Sequence, residues 1–251
     1  MLFRSLFGAG KAVYQYNEKN KLKFIASAYH TQEQEYYDIL AQYRLGEVDA
    51  NIGSETFGDV VYTRGIGSQL THARNDLDAL IANAEVKGFH ELNQKSQIEW
   101  GAKFQQEDIR DLLGEWQAID STGYVVNPNP GNGLNLSYYV NSKNNLKTNR
   151  ISGYAQYTSK FMWNDAKVLF NAGVRAAYWD FNEETTVSPR AQIAIKPDWE
   201  SDMLFRFSTG IYYQPPFYRE IRRLDGSLND KVKSQQSIHF ILGNDYEFKW
   251  M

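Results

Sequence analysis

Apolar and polar residues alternate along most of this chain. Val168, Phe170, Ala172, Val174, Ala176 and Tyr178 make one face, opposed by Asn171, Gly173, Arg175 and Trp179. Phe205, Phe207, Thr209, Ile211 and Tyr213 oppose Arg206, Ser208, Gly210, Tyr212 and Gln214. Ile98, Trp100, Ala102 and Phe104 oppose Glu99, Gly101, Lys103, Gln105 and Glu107, and the same period runs through Leu80–Val86 and Leu22–Ala28. Successive side chains of a strand point to opposite faces, so each segment predicts a strand with one apolar and one polar side. The pattern predicts about nine strands, near Gly10–Tyr16, Lys21–His30, Gln69–Gly88, Ser96–Glu107, Arg150–Phe161, Ala166–Asp180, Pro189–Lys196, Met203–Gln214 and Gln236–Lys249.

A β-sandwich also alternates, but three features favour an antiparallel transmembrane β-barrel. Many segments run about 10–16 residues, where a strand of a soluble protein has about 5–6. Their polar faces carry Arg, Lys, Glu and Gln beside Gly and Tyr, which suits a wet interior. Tight connectors (Asn17–Asn20, Glu91–Lys95, Trp163–Asp165, Pro197–Ser201) alternate with long ones expected as extracellular loops near 31–68, 108–149, 181–188 and 215–234. Short turns on one rim and long loops on the other are the habit of outer-membrane barrels.

Composition adjusts this picture. Aromatic residues make up 15% of the chain, with 17 Tyr, 14 Phe and 6 Trp. Phe161, Trp163, Trp199, Phe248 and Trp250 fall near tight turns; Phe104, Tyr178, Trp179, Phe181, Tyr212 and Tyr213 fall near long loops. Two interfacial girdles would collect rings in this way, although strands favour aromatics in any case. The formal charge of −3 argues against a nucleic-acid partner. With no cysteine, disulfides and thiolate metal sites are excluded. No stretch reaches the roughly 18 apolar residues of a membrane helix. Residues 1–8 are read as a non-native or truncated start, and both ends of the chain read as cut within a larger barrel.

Several runs taken together resemble a known family: Gly173–Tyr178 (GVRAAY), Ser188–Ile193 (SPRAQI), Phe205–Gly210 (FRFSTG) and Gln214–Phe217 (QPPF), with Gln34–Ile39, Gly67–Leu70, His72–Asn75 and Glu115–Asp120 upstream. Their order is similar to that of TonB-dependent outer-membrane receptors, in the branch with a carboxypeptidase-regulatory-like N-terminal extension. The resemblance implies a barrel of about 22 strands with a plugged lumen. Spread over about 22 strands, 251 residues leave fewer than about 12 per strand with its connector, so the chain reads as a partial barrel without the plug domain. It further implies active uptake of a scarce ligand (a small molecule, saccharide or peptide) across the outer membrane. Energy would come from the TonB complex through the missing plug region. The expected partners are outer-membrane lipids, that complex, the ligand and a surface lipoprotein. A passive porin-like channel, or a soluble or secreted all-β binding or adhesion protein, are the alternatives.

No cofactor, metal or catalytic set is expected, and an enzyme reading comes last. His30 and Glu33 make a lone pair short of the three or four ligands zinc needs. Glu33 and Glu35 share a strand face, whereas Asp38 lies on the other. Asp76 and Asp78 lack the glycine and closing Glu of an EF-hand loop, and Gly65-Ile-Gly67 lacks the third glycine of a dinucleotide fingerprint. Asn127–Gly133 reads as a turn-rich loop, near Tyr138 and Tyr139. Lys103, Glu107, Gln156, Arg175 and Arg206 are expected to face the lumen and guide ligand or support a plug. Arg219, Arg222 and Arg223, in a loop begun by Gln214-Pro-Pro216, are expected as extracellular contacts to an anionic ligand or lipid.

Overall fold

The structure, a computed structural model, describes residues 2–120 and 136–248. It is all β apart from one 3-10 turn at Tyr218–Ile221. The strands are β1 (Leu2–Asn17), β2 (Asn20–Val48), β3 (Val60–Asn93), β4 (Ser96–Asp120), β5 (Leu136–Trp163), β6 (Ala166–Trp179), β7 (Glu184–Lys196), β8 (Asp202–Gln214) and β9 (Gln235–Glu247). Each pairs antiparallel with its sequence neighbour, giving one open nine-stranded sheet in the order β1 to β9. Residues Leu2–Gly8, set aside in the sequence reading, lie in β1 and pair with Gln34–Ala28 of β2.

The tight turns are built by their own residues. Asn17 Oδ1 accepts the Lys19 N–H at 3.0 Å, and Asn93 Oδ1 accepts the Lys95 N–H at 2.8 Å. Asn and Asp side chains favour such turns because they replace a missing backbone partner. Between β5 and β6, Asn164 (φ 45°) and Asp165 (φ 66°) both take left-handed backbone, as the two-residue turn matching strand twist requires.

Three of the four expected loops are shorter than the sequence suggested. β2 and β3 continue far past His30 and Gln69, leaving a connection at 49–59; β4 and β5 continue past Glu107 and Arg150. β7 begins at Glu184, so the expected loop at 181–188 is a four-residue turn, 180–183. Asn127–Gly133 lies outside the described residues. The physical reason is cross-strand satisfaction of polar side chains that break the alternation. Gln32 donates to Asp78 Oδ2 at 2.8 Å, Gln34 to Asp76 Oδ1 at 2.7 Å, and Arg74 to Asp38 Oδ2 at 2.6 Å.

Polarity changes sides along these long strands. Near the tight turns, one face of β2–β5 carries Leu22, Phe24, Leu80, Val86, Trp100, Phe104 and Ile151. Further out, that same face carries Asp76, Asp78, Gln106, Asp108, Lys147 and Asn149. The apolar residues have moved to the opposite face: Ala73, Ala79, Ile109, Leu113, Val140 and Leu146 are all buried there. Register runs unbroken from Asp76↔Leu112 to Glu91↔Gln97, so no bulge produces the switch. The long connection 215–234 folds over this second apolar patch. Ile221 is 0% exposed among Ala79, Ile109, Leu146 and Trp179, with Tyr218, Leu228 and Val232 packed at the margin. Burying an aliphatic side chain fully is worth about 1.5–3 kcal/mol, which makes Ile221 the main apolar anchor of the loop.

Candidate functional site

The candidate site is the polar face of the sheet, together with the loop folded onto its outer end. Register fixes membership of that face. Glu85↔Lys103↔Ser152↔Ala177↔Thr186 forms one row across β3–β7, and Gly101↔Tyr154↔Arg175↔Ser188 the next. Lys103, Glu107, Gln156, Arg175 and Arg206 all sit on this face, because each has the parity that opposes the apolar band.

Their surroundings differ. Lys103 Nζ donates to Gln105 Oε1 at 2.9 Å. Glu107, 6% exposed, lies 3.0 Å from Arg150 Nε, a contact out of hydrogen-bond alignment. The Arg150 guanidinium also stacks 3.8 Å from the Trp179 ring centroid. Arg206 pairs with Asp245 of β9. Gln156 stands in register between Glu99 and Gly173. Arg175 has no carboxylate partner among the described residues.

The loop is held by charge as well as by Ile221. Asp111, 3% exposed, accepts from Tyr218 Oη at 2.9 Å and from Arg222 Nη1 at 3.1 Å. A buried carboxylate is tolerable only with such partners, so one side chain of β4 fixes two points of the loop. Burial, followed by the Asp111 charge, pushes the Tyr218 phenol above its ordinary range and keeps it a donor. Arg219 lies 3.3 Å from Glu33, and Arg223 donates to Asn229 Oδ1 at 3.3 Å within the loop. The three arginines expected as outward contacts thus split: Arg222 turns back onto the buried Asp111, whereas Arg219, although within reach of Glu33, and Arg223 stay exposed. A small recess beside them collects Glu33, Glu35, Asn75, Asp111 and Glu115, with Asn75 Nδ2 donating to Glu115 Oε1 at 2.6 Å.

The remaining sequence candidates are separated or already partnered. His30 Nε2 meets Asp78 Oδ1 at 2.9 Å on the face opposite Glu33. Asp76 and Asp78 are bonded by Gln34, Tyr36, Gln32 and His30. Asp38 is drawn below the usual carboxylate range by Arg74 and then His72. No group of three metal-binding side chains occurs among the described residues. Gly65 and Gly67 lie within β3.

Sequence reasoning missed the outer anchor formed by β5, β6 and the turn after it. The Trp179 indole donates to Thr148 Oγ1 at 2.7 Å. Thr148, 1% exposed, donates in turn to Asp180, whose carboxylate also takes the Asn149 N–H and Nδ2, each at 2.8 Å. The available signal was the shift of apolar positions from even to odd numbers between Phe104 and Ile109.

No protein-family model and no curated protein matches the chain. Among solved structures, a chain from the structure of the RagAB peptide transporter superposes with a TM-score of 0.49 at 9% identity. The match covers 98% of this chain and 28% of that one.

Proposed function

We propose that the chain forms part of the wall of an outer-membrane transport barrel of the TonB-dependent receptor type, taking up a scarce ligand. The apolar band on one face carries this reading. On β6 it runs from Val168 to Tyr178, ten residue steps or about 34 Å of strand. At the roughly 35–45° tilt of barrel strands this gives a height of about 24–28 Å, against the roughly 25 Å band of outer-membrane barrels. Phe207, Phe240 and Leu242 extend the band across β8 and β9, all exposed. A soluble β protein would leave that large apolar surface in water.

In this reading the opposite face lines the lumen, and the 215–234 loop narrows its outer mouth. Transport is then non-covalent, and energy arrives from the TonB complex through a plug within the lumen. The ligand is a small molecule, saccharide or peptide, and a surface lipoprotein at the outer rim fits the projecting β2–β3 hairpin. The test is fractionation of the protein at the length its gene encodes. We expect it in the outer-membrane fraction, resistant to urea extraction, with a gel mobility that changes on heating. Uptake of labelled candidate ligands should stop when a protonophore removes the energy source. Release by urea as soluble protein would sink the barrel reading; uptake indifferent to the protonophore would leave a passive pore.

A further inference from the structure

Four cations on the polar face have an acid beside them. Arg150 has Glu107, Lys87 has Glu85, Lys196 has Asp202 and Arg206 has Asp245. Arg175 and Arg190, like Lys21, Lys23 and Lys103, have no carboxylate partner among the described residues. The two arginines are diagonal neighbours, because Arg175 pairs with Ser188, two positions from Arg190. Such neighbours stand about 7–8 Å apart at the backbone, a gap two long side chains can close on a single anion.

One of the two arginines stands beside a tyrosine ring. Tyr154, opposite Arg175, leans the other way, over Gly101, where a Cβ would come within 2.5 Å of its ring. Tyr212 lies over Gly210, where a Cβ would meet its ring at 3.0 Å, and the Arg190 guanidinium stands 5.6 Å from the Tyr212 centroid. The missing side chain at Gly210 thus leaves room for the Tyr212 ring beside Arg190. Arg175 also lines, with Lys103, a cavity of about 170 Å³ closed on one side by the loop ends Pro215 and Ser234. Glu184, the acid of that cavity, already accepts the Ser234 N–H at 2.9 Å and the Ser234 hydroxyl at 2.6 Å.

We propose that this part of the polar face binds the carboxylate of a small solute, with Arg175, in the recess with Lys103, as its main contact, and with the diagonal Arg190 and its Tyr212 ring beside that recess against the planar part. Planar guanidinium groups match a carboxylate through paired N–H donors, and tyrosine faces accept flat groups. Placing the bound solute on a transport path rests on the barrel reading above.

The test uses the protein at the length its gene encodes, purified from membranes in detergent, with benzoate and benzamide as matched probes in titration calorimetry. Benzoate should bind and benzamide should not. Arg175→Gln should weaken benzoate at least tenfold, Arg190→Gln less, and Arg175→Lys should recover part of the loss. Equal binding of the two probes overturns the proposal. So does benzoate binding unchanged in the Arg175→Gln–Arg190→Gln double variant. Absence of benzoate binding to folded wild-type protein, as when an acidic side chain of the same protein holds the arginines, overturns it too. Urea extraction of the same membranes reports on the barrel reading separately: an inserted protein that ignores benzoate refutes the recess alone.

Discussion

Ile221→Ala is the sharpest probe of the loop that closes over the outer patch. Ile221 is 0% exposed, and the residues around it come from β3, β4, β5 and β6, which cannot all move inward together. Truncating a buried Ile to Ala costs about 2–5 kcal/mol, the transfer term plus the cavity left behind. A surface loop relaxes more than a central core, so about 2–4 kcal/mol is the working range. That cost falls on the closed loop, because β3–β6 keep their ladders. At about 1.4 kcal/mol per factor of ten, the open population rises about 30- to 700-fold. Hydrogen exchange of the loop reads this directly. Its internal bonds include Asn229 N–H to Ile221 O at 2.7 Å and Arg223 N–H to Ser227 O at 2.8 Å. When reclosing outpaces exchange, amide rates scale with the open fraction. The peptide covering 217–234 should therefore exchange faster by that factor, while peptides from β6 keep their rates. Leu224→Ala, at a side chain 92% exposed, should change nothing. An unaltered loop in Ile221→Ala, or equal acceleration throughout the sheet, would refute the anchoring argument.

Other outcomes follow from the same geometry. Ala102→Arg places a charge in the apolar band and should cost about 2–4 kcal/mol of insertion, visible as loss of heat-modifiable protein, whereas Lys103→Ala next to it should insert normally. Gly226→Ala should loosen the loop by about 1 kcal/mol or more, seen as faster exchange at 217–234: Gly226 has φ +83°, and a Cβ there would collide with Ser142. Tyr218 has a raised folded pKa, so its contribution is complete below the ordinary tyrosine value of about 10 and is lost as pH rises through the folded value. An ultraviolet difference titration of wild type against Tyr218→Phe should show its ionisation step above the ordinary tyrosine range; a step at about 10 would contradict the buried contact with Asp111.

The strands near the tight turns were legible because one physical rule, alternation against a single apolar environment, governs Leu22–Ala28, Ile98–Phe104 and Val168–Tyr178 alike. The same parity placed Lys103, Glu107, Gln156, Arg175 and Arg206 on one face. The rule fails past His30 and Glu107, where both faces carry polar groups and the apolar side changes. There Gln32, Gln34 and Asp38 read as loop residues, although their hydrogen bonds lie across the ladder. Contacts at long sequence separation were also out of reach. Asp111 meets Arg222 only because a loop returns from the far side of the sheet, and Arg222 reads in sequence as one more exposed cation. The isolation of Arg175 and Arg190 could not be seen either, since it depends on which acids lie nearby in space.

In the proposed barrel, the change of apolar side between Phe104 and Ile109 works as a waterline drawn on the protein. Suppose the sheet rode two residues deeper in a membrane: Asp78, Gln106 and Asn149 would be carried toward hydrocarbon. Riding higher would lift Phe104 and Ile151 into water. Either displacement is opposed by every strand from β2 to β5 at once, so the sheet needs no separate tether to hold its draught. The loop anchored by Ile221 begins just above that line. In that reading its distance from the lipid surface is set by the wall itself.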